Sequence, residues 1–153
     1  MRNLLFPIFF SAVAMGAHAE ERKEIDAIDA RQGYYRILEY NMTSLGAMAS
    51  GSVNYDTKQV EIYVNNLMTM EQYGTQSLFP FGTSKEDMPG RTRALANIWT
   101  DFESVAAKGA ALKDALSNLE AVSGNGPDAL GGALGQVGAA CMGCHKAHVA
   151  EAF

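Results

Sequence analysis

The chain has 153 residues, with 12 Lys and Arg against 17 Asp and Glu, for a net charge of −5. That length accommodates one domain with a sizeable core rather than several. An acidic chain without a basic stripe excludes nucleic acid as a partner. Charges of both signs along its length describe a solvated surface, not a disordered acidic tail.

Residues 1–19 have the make-up of a secretory signal peptide. Arg2 supplies the positive start, Leu4 to Met15 the apolar stretch, and Ala17-His18-Ala19 the small-residue cleavage site. The apolar run is too short to span a bilayer comfortably. Cleavage after Ala19 is expected, leaving residues 20–153 as one exported domain without a membrane anchor. Losing Arg2 moves the net charge from −5 to −6.

The mature chain then reads as four helices. Glu20 to Gly51 begins with acid at Glu20, Glu21, Glu24, Asp26 and Asp29, which suits a helix N-terminus. Its apolar residues Ile25, Ile28, Tyr35, Leu38, Met42, Leu45 and Met48 recur near a 3.6 period. Asp56 is placed to cap a second helix ending near Tyr73, with Val60, Val64 and Leu67 on its apolar face and Gly74 closing it. Residues 75–90, punctuated by Pro80, Gly82, Pro89 and Gly90, predict an irregular connection. A third helix is expected from Arg93 to about Val122, capped by Thr92, with Leu95, Trp99, Phe102, Leu112, Leu116 and Leu119 in its stripe. After the turn Ser123-Gly124-Asn125-Gly126, Pro127 suits the first position of a fourth helix. Short connections and one longer loop between four amphipathic helices predict an all-α, antiparallel bundle.

The fourth helix ends in Cys141-Met142-Gly143-Cys144-His145. This C-x-x-C-H pattern is read as a c-type haem attachment site. Two thiols add to two vinyl groups, and the adjacent imidazole ligates the iron. On a helix the spacing i, i+3, i+4 puts all three side chains on one face. A redox C-x-x-C belongs near a βαβ pattern, which is not seen here. A zinc site has only His148 as a nearby fourth ligand. Haem attachment therefore stands well ahead of both.

With these elements in place, the mature chain resembles the cytochrome c′ family along essentially its whole length. Arg31-Gln32-Gly33-Tyr34-Tyr35 is similar to a stretch on that family's first helix. Phe81-Gly82-Thr83 and Ala94-x-x-x-Ile98-Trp99-x-Asp101 are similar to its central motifs. Leu134-Gly135-x-Val137-Gly138-x-x-Cys141-x-x-Cys144-His145 is similar to its C-terminal signature. The resemblance implies a left-handed four-helix bundle with one covalent haem c in the bundle core, and a homodimer through the first two helices. It implies a five-coordinate iron with His145 as the only protein ligand. Carried over by position, Tyr35 covers the opposite face, Arg31 and Gln32 meet the propionates, and Thr92 and Arg93 approach the haem. Without the haem motif, Arg31 would read as a surface residue paired with Asp26 or Asp29. Two positions depart from the family: His148 stands where Tyr is common, and Val149 where a basic residue is common. His148 is expected on the surface of the last turn.

The resulting expectation is a periplasmic haem protein that binds nitric oxide and carbon monoxide. Electron transfer with a redox partner protein is a further role. The alternative is a low-spin carrier with His/Met ligation, for which Met42 is the nearest candidate. Peroxidase-type catalysis usually wants a distal base, and the mature chain has only His145 and His148. No catalytic residue is assigned and the chain is not expected to be an enzyme.

Overall fold

The computed structural model describes residues 13–151, with side chains from Arg22 onward. Residues 1–12 of the expected signal peptide lie outside the described residues, and only the backbone of 13–19 is described. Four helices carry the fold: α1 (Val13–Ala49), α2 (Thr57–Tyr73), α3 (Phe102–Val122) and α4 (Pro127–His148).

Local chemistry explains most of the boundaries. The Asp56 carboxylate accepts from the amides of Lys58 and Gln59 at 2.9 and 3.1 Å, so α2 begins with two of its free donors satisfied. Asp101 caps α3 through the Ser104 amide at 3.2 Å. Pro127 opens α4 at a position where its missing N–H costs nothing. The chain leaves α2 through Gly74 at φ 73°, a left-handed conformation that glycine adopts without strain.

The helices form a ring in which each packs on its two neighbours: α1 on α2 and α4, and α3 on α2 and α4. Cross-helix pairs show the directions, because numbers rise on one helix as they fall on the other. Asn66 donates to Asn41 at 2.9 Å and Tyr34 lies 6.4 Å from Tyr73, which makes α1 and α2 antiparallel. Tyr55, just before α2, bonds to Ser123 at the end of α3. Ser104 meets His148 and Asn118 meets Gln136, which makes α3 and α4 antiparallel. Ala49 at the end of α1 lies near Gly131 in the first turns of α4. The bundle is therefore antiparallel throughout, as the sequence predicts.

The third helix is shorter than expected. Residues 93–95 form an extended segment, followed by a tight turn at Ala96–Trp99, and α3 begins only at Phe102. Their backbone is used elsewhere. Leu95 N–H donates to the His148 carbonyl at 2.9 Å, Ala150 N–H to the Arg93 carbonyl at 2.8 Å, and Ala94 forms an antiparallel bridge with Val149. Pairing with the end of α4 outcompetes helix formation here.

The apolar core lies toward one end of the bundle. It joins Leu45 and Met48 of α1, Val60, Val64 and Leu67 of α2, Leu116 and Leu119 of α3, and Leu130, Leu134 and Val137 of α4. Leu119 is 0% exposed at its centre. Replacing it by alanine is expected to cost about 3 kcal/mol, the lost transfer energy plus a cavity. Urea unfolding of Leu119→Ala against the parent measures it, and a loss below about 1 kcal/mol would place Leu119 outside the cooperative core.

Candidate functional site

Helicity through α4 puts Cys141, Cys144 and His145 on one face, and the antiparallel run of α1 beside α4 brings Tyr35 within electrostatic range of both Cys144 and Cys141. Burial pushes its phenol up to about 12, with Cys144 adding to the rise and Arg31 opposing it. Burial also raises both thiols. Cys141 is pushed further up by Cys144, while Lys108 of α3 draws Cys144 back down. Lys108 lies over the same stretch of α4, since a Cβ on Gly143 would sit 3.9 Å from its Nζ.

Packing changes at this level of the bundle. At the edge of the core, Leu38, Leu112 and Cys141 pack against it but are only half-buried, as are Val105 and Cys144; Tyr35 is 42% exposed and His145 is exposed as well. Apolar surface left in this state gains free energy when a further apolar group covers it. The aromatic ring of Tyr35 stands edge-on to Tyr34, with centroids 5.2 Å apart, and Tyr34 is anchored by its hydroxyl to the Met70 carbonyl at 2.9 Å.

Arg31 sits one turn before Tyr35 on α1, and its place differs from a surface ion pair: it is 4% exposed. Its guanidinium donates to the Thr83 carbonyl at 3.1 Å, Thr83 Oγ1 at 3.2 Å, Thr92 Oγ1 at 2.8 Å and, more weakly, the Leu78 carbonyl at 3.4 Å. It also lies 4.5 Å from the centre of the Phe79 ring. Burial draws its affinity for the proton below the ordinary guanidinium value. Gln32 donates to the Arg91 carbonyl at 2.7 Å, next to Thr92. Arg93 is exposed and its Nε donates to the Ala150 carbonyl at 2.7 Å. Arg31, Gln32 and Thr92 thus come together around the connection between α2 and α3, and Arg93 joins that connection to the tail of α4.

One expectation is overturned. His148 is not a surface residue but 1% exposed, with Nε2 3.0 Å from Ser104 Oγ and Nδ1 3.1 Å from Asn97 Oδ1. Sequence reasoning also passed over Thr83, Asn97 and Ser104. Thr83 stood within a quoted motif without a role. Asn97 and Ser104 carry no local signal, because their partner is about fifty positions away.

The donor set fits a c-type haem. Two half-buried thiols lie one turn apart on α4 within electrostatic range of Tyr35, and the exposed imidazole of His145 follows them directly in sequence. Cys141 and Cys144 would hold the group through thioethers and His145 through the iron. When bound, it supplies an iron centre that exchanges electrons or takes small ligands.

Comparison with known proteins agrees. A family model described as Cytochrome C′ matches residues 26–148. Cytochrome c′ of Cereibacter sphaeroides is 34% identical over 145 residues, covering 95% of each chain. A solved cytochrome c′ from Rhodobacter superposes with a TM-score of 0.80 at 33% identity, covering 84% of this chain and 98% of its own. Structures of the cytochrome c′ of Alcaligenes xylosoxidans superpose with TM-scores of 0.73 and 0.72 at 28% identity, covering 84% of this chain and 97% of theirs; one variant carries nitric oxide and another carbon monoxide.

Arg31 can be tested for its structural part. Arg31→Met leaves Thr83 and Thr92 without their shared donor. It should lower stability by about 3 kcal/mol, the upper range for stranding buried acceptors, read as a fall in the urea midpoint. A variant within about 0.5 kcal/mol of the parent would show that water replaces the guanidinium.

Proposed function

The chain belongs to the cytochrome c′ family, and from that premise we propose that it is an exported, periplasmic haem protein whose iron takes nitric oxide or carbon monoxide. One haem c is attached through Cys141 and Cys144. His145 is the only protein ligand to the iron, which leaves it five-coordinate. Tyr35 covers the other side, and an incoming diatomic displaces it. Arg31 and Gln32 meet the propionates, with Thr92 and Arg93 beside them. Residues 1–19 are removed on export, and 20–153 form the haem domain. No residue is assigned a catalytic role.

The observation that carries this reading is the placement of Tyr35 within electrostatic range of the Cys141–Cys144 pair. Met42, the candidate for a sixth ligand, lies seven residues further along α1, roughly 10 Å along the axis. Among the described residues, the Arg31 contacts are with uncharged groups, so a propionate would supply a negative charge beside it. The nitric oxide and carbon monoxide complexes of the Alcaligenes xylosoxidans protein are in keeping with the same ligands here. Ile37 and Tyr40 on α1 and Ile62 on α2 are 49%, 64% and 52% exposed. Apolar side chains on these two helices suit a homodimer formed through them.

An optical spectrum of the dithionite-reduced holoprotein, before and after carbon monoxide or nitric oxide, tests the reading. A broad high-spin spectrum that changes on adding gas is expected. A sharp low-spin spectrum indifferent to gas would turn the assignment to a six-coordinate electron carrier.

The role of Tyr35 has its own pH test. A phenol raised from 10.0 to about 12 has its charged form disfavoured by folding. The sign follows: its contribution to stability is complete below pH 10, the unfolded value, and is lost as pH rises through about 12. If Tyr35 only covers the iron, the ferric holoprotein should show no phenolate-to-iron charge-transfer band between pH 6 and about pH 10. Such a band, abolished in Tyr35→Phe, would make Tyr35 a ligand rather than a cover.

A further inference from the structure

His148 is a buried imidazole that neither haem attachment nor ligand binding uses, and its surroundings define it closely. Asn97 donates Nδ2 to the Ala147 carbonyl at 2.9 Å. That bond fixes the orientation of the Asn97 amide, so its Oδ1 is the atom 3.1 Å from His148 Nδ1. An amide oxygen only accepts, so Nδ1 carries the proton. In the neutral ring Nε2 is then an acceptor, and the Ser104 hydroxyl donates to it across 3.0 Å. Both ring nitrogens are satisfied in one tautomer, in a site with 1% exposure.

The connections run to three different elements. Asn97 lies in the tight turn before α3 and Ser104 in the first turn of α3. His148 and Ala147 lie in the last turn of α4, and the His148 carbonyl accepts from Leu95 N–H at 2.9 Å. The final turn of a helix ordinarily leaves its carbonyls free and frays. Here Ala147 and His148 both have their carbonyls bound from outside the helix, and the His148 ring is tied at both nitrogens. His145 lies in this turn, and its own carbonyl accepts from Val149 N–H at 3.0 Å.

We propose that Asn97, His148 and Ser104 form a clamp that positions His145, fixing the last turn of α4 so that the iron-ligating imidazole resists displacement. This rests on the reading of His145 as the iron ligand. His148 does not touch the iron; it is a positioning residue that acts through the helix backbone. A fixed backbone opposes any movement of the His145 imidazole along its bond to the iron. Gas binding on the Tyr35 side then works against the clamp, and releasing the clamp raises affinity.

The test uses the haem-loaded protein and three variants: Asn97→Ala, Ser104→Ala and Ser104→Thr. Carbon monoxide affinity of the ferrous form and the iron–imidazole stretching band in resonance Raman are measured for each. Asn97→Ala should raise the affinity about threefold or more, within the range of coupling carried by residues that touch neither ligand, and should shift the band. Ser104→Ala should shift both in the same direction by less, and Ser104→Thr, which keeps the hydroxyl, should match the parent. Ser104→Ala removes one hydrogen bond at a half-buried position, so it decides the question if Asn97→Ala does not fold. Haem-loaded Asn97→Ala and Ser104→Ala with parental affinity and band would overturn the clamp. A parent that carries no haem, or binds no carbon monoxide, would instead overturn the reading on which the clamp rests.

Discussion

A guanidinium buried to 4% exposure keeps its charge, so the protein around Arg31 must satisfy it. It does so with acceptors drawn almost wholly from the connection between α2 and α3: Leu78, Thr83 and Thr92, with the Phe79 ring beside them. A connection of this length without regular structure would ordinarily be mobile. Here the cost of leaving a buried cation unsatisfied is large, and the loop is held against α1 for that reason. Thr83 closes further on Pro80 at 2.8 Å, and Trp99 donates to the Phe79 carbonyl at 3.0 Å. One charged side chain thus organises a loop with little apolar periodicity of its own.

The division of the bundle follows from where its large aliphatic residues fall. Leu45, Leu67, Leu119 and Leu130 meet toward one end and exclude water there. That end supplies the cooperative stability. Toward the other end, the side chains of Cys141, Cys144 and Tyr35 are less covered, while Ile28, Tyr34, Arg31 and His148 nearby are buried. Antiparallel α1 and α4 make the two ends coincide: Ala49 near Gly131 at the packed end, Tyr35 near Cys144 at the other.

Legibility in the sequence tracked the range of the interactions. α2 and α4 were readable because their boundaries are local: the Asp56 carboxylate bonds two and three residues ahead, and Pro127 fixes its own backbone. The Cys141–Cys144–His145 face was readable for the same reason. The start of α3 was not, because residues 93–95 pair with residues 148–150, and no local preference announces that competition. The burial of His148 was not readable either. A polar residue in a last helical turn normally faces water, and only the approach of Asn97 and Ser104 makes a buried site for it. For Arg31 the sequence placed the residue, but the acceptors fifty and sixty positions away came only from the fold.

These long-range contacts share one segment. Thr92 holds Arg31, and so orients the part of α1 that carries Tyr35. Two to five residues later, Ala94, Leu95 and Asn97 hold the last turn of α4, which carries His145. Residues 92–97 therefore touch both the part of α1 that carries Tyr35 and the part of α4 that carries His145 without belonging to either helix. A shift of this segment relative to α1 would disturb Arg31, and a shift relative to α4 would disturb His148. Because each anchor is buried and hydrogen-bonded, neither yields cheaply. These ends of α1 and α4 are thus joined by a cross-brace of hydrogen bonds as well as by the α1–α4 contact. That is why residues 93–95 are extended where their composition favoured a helix.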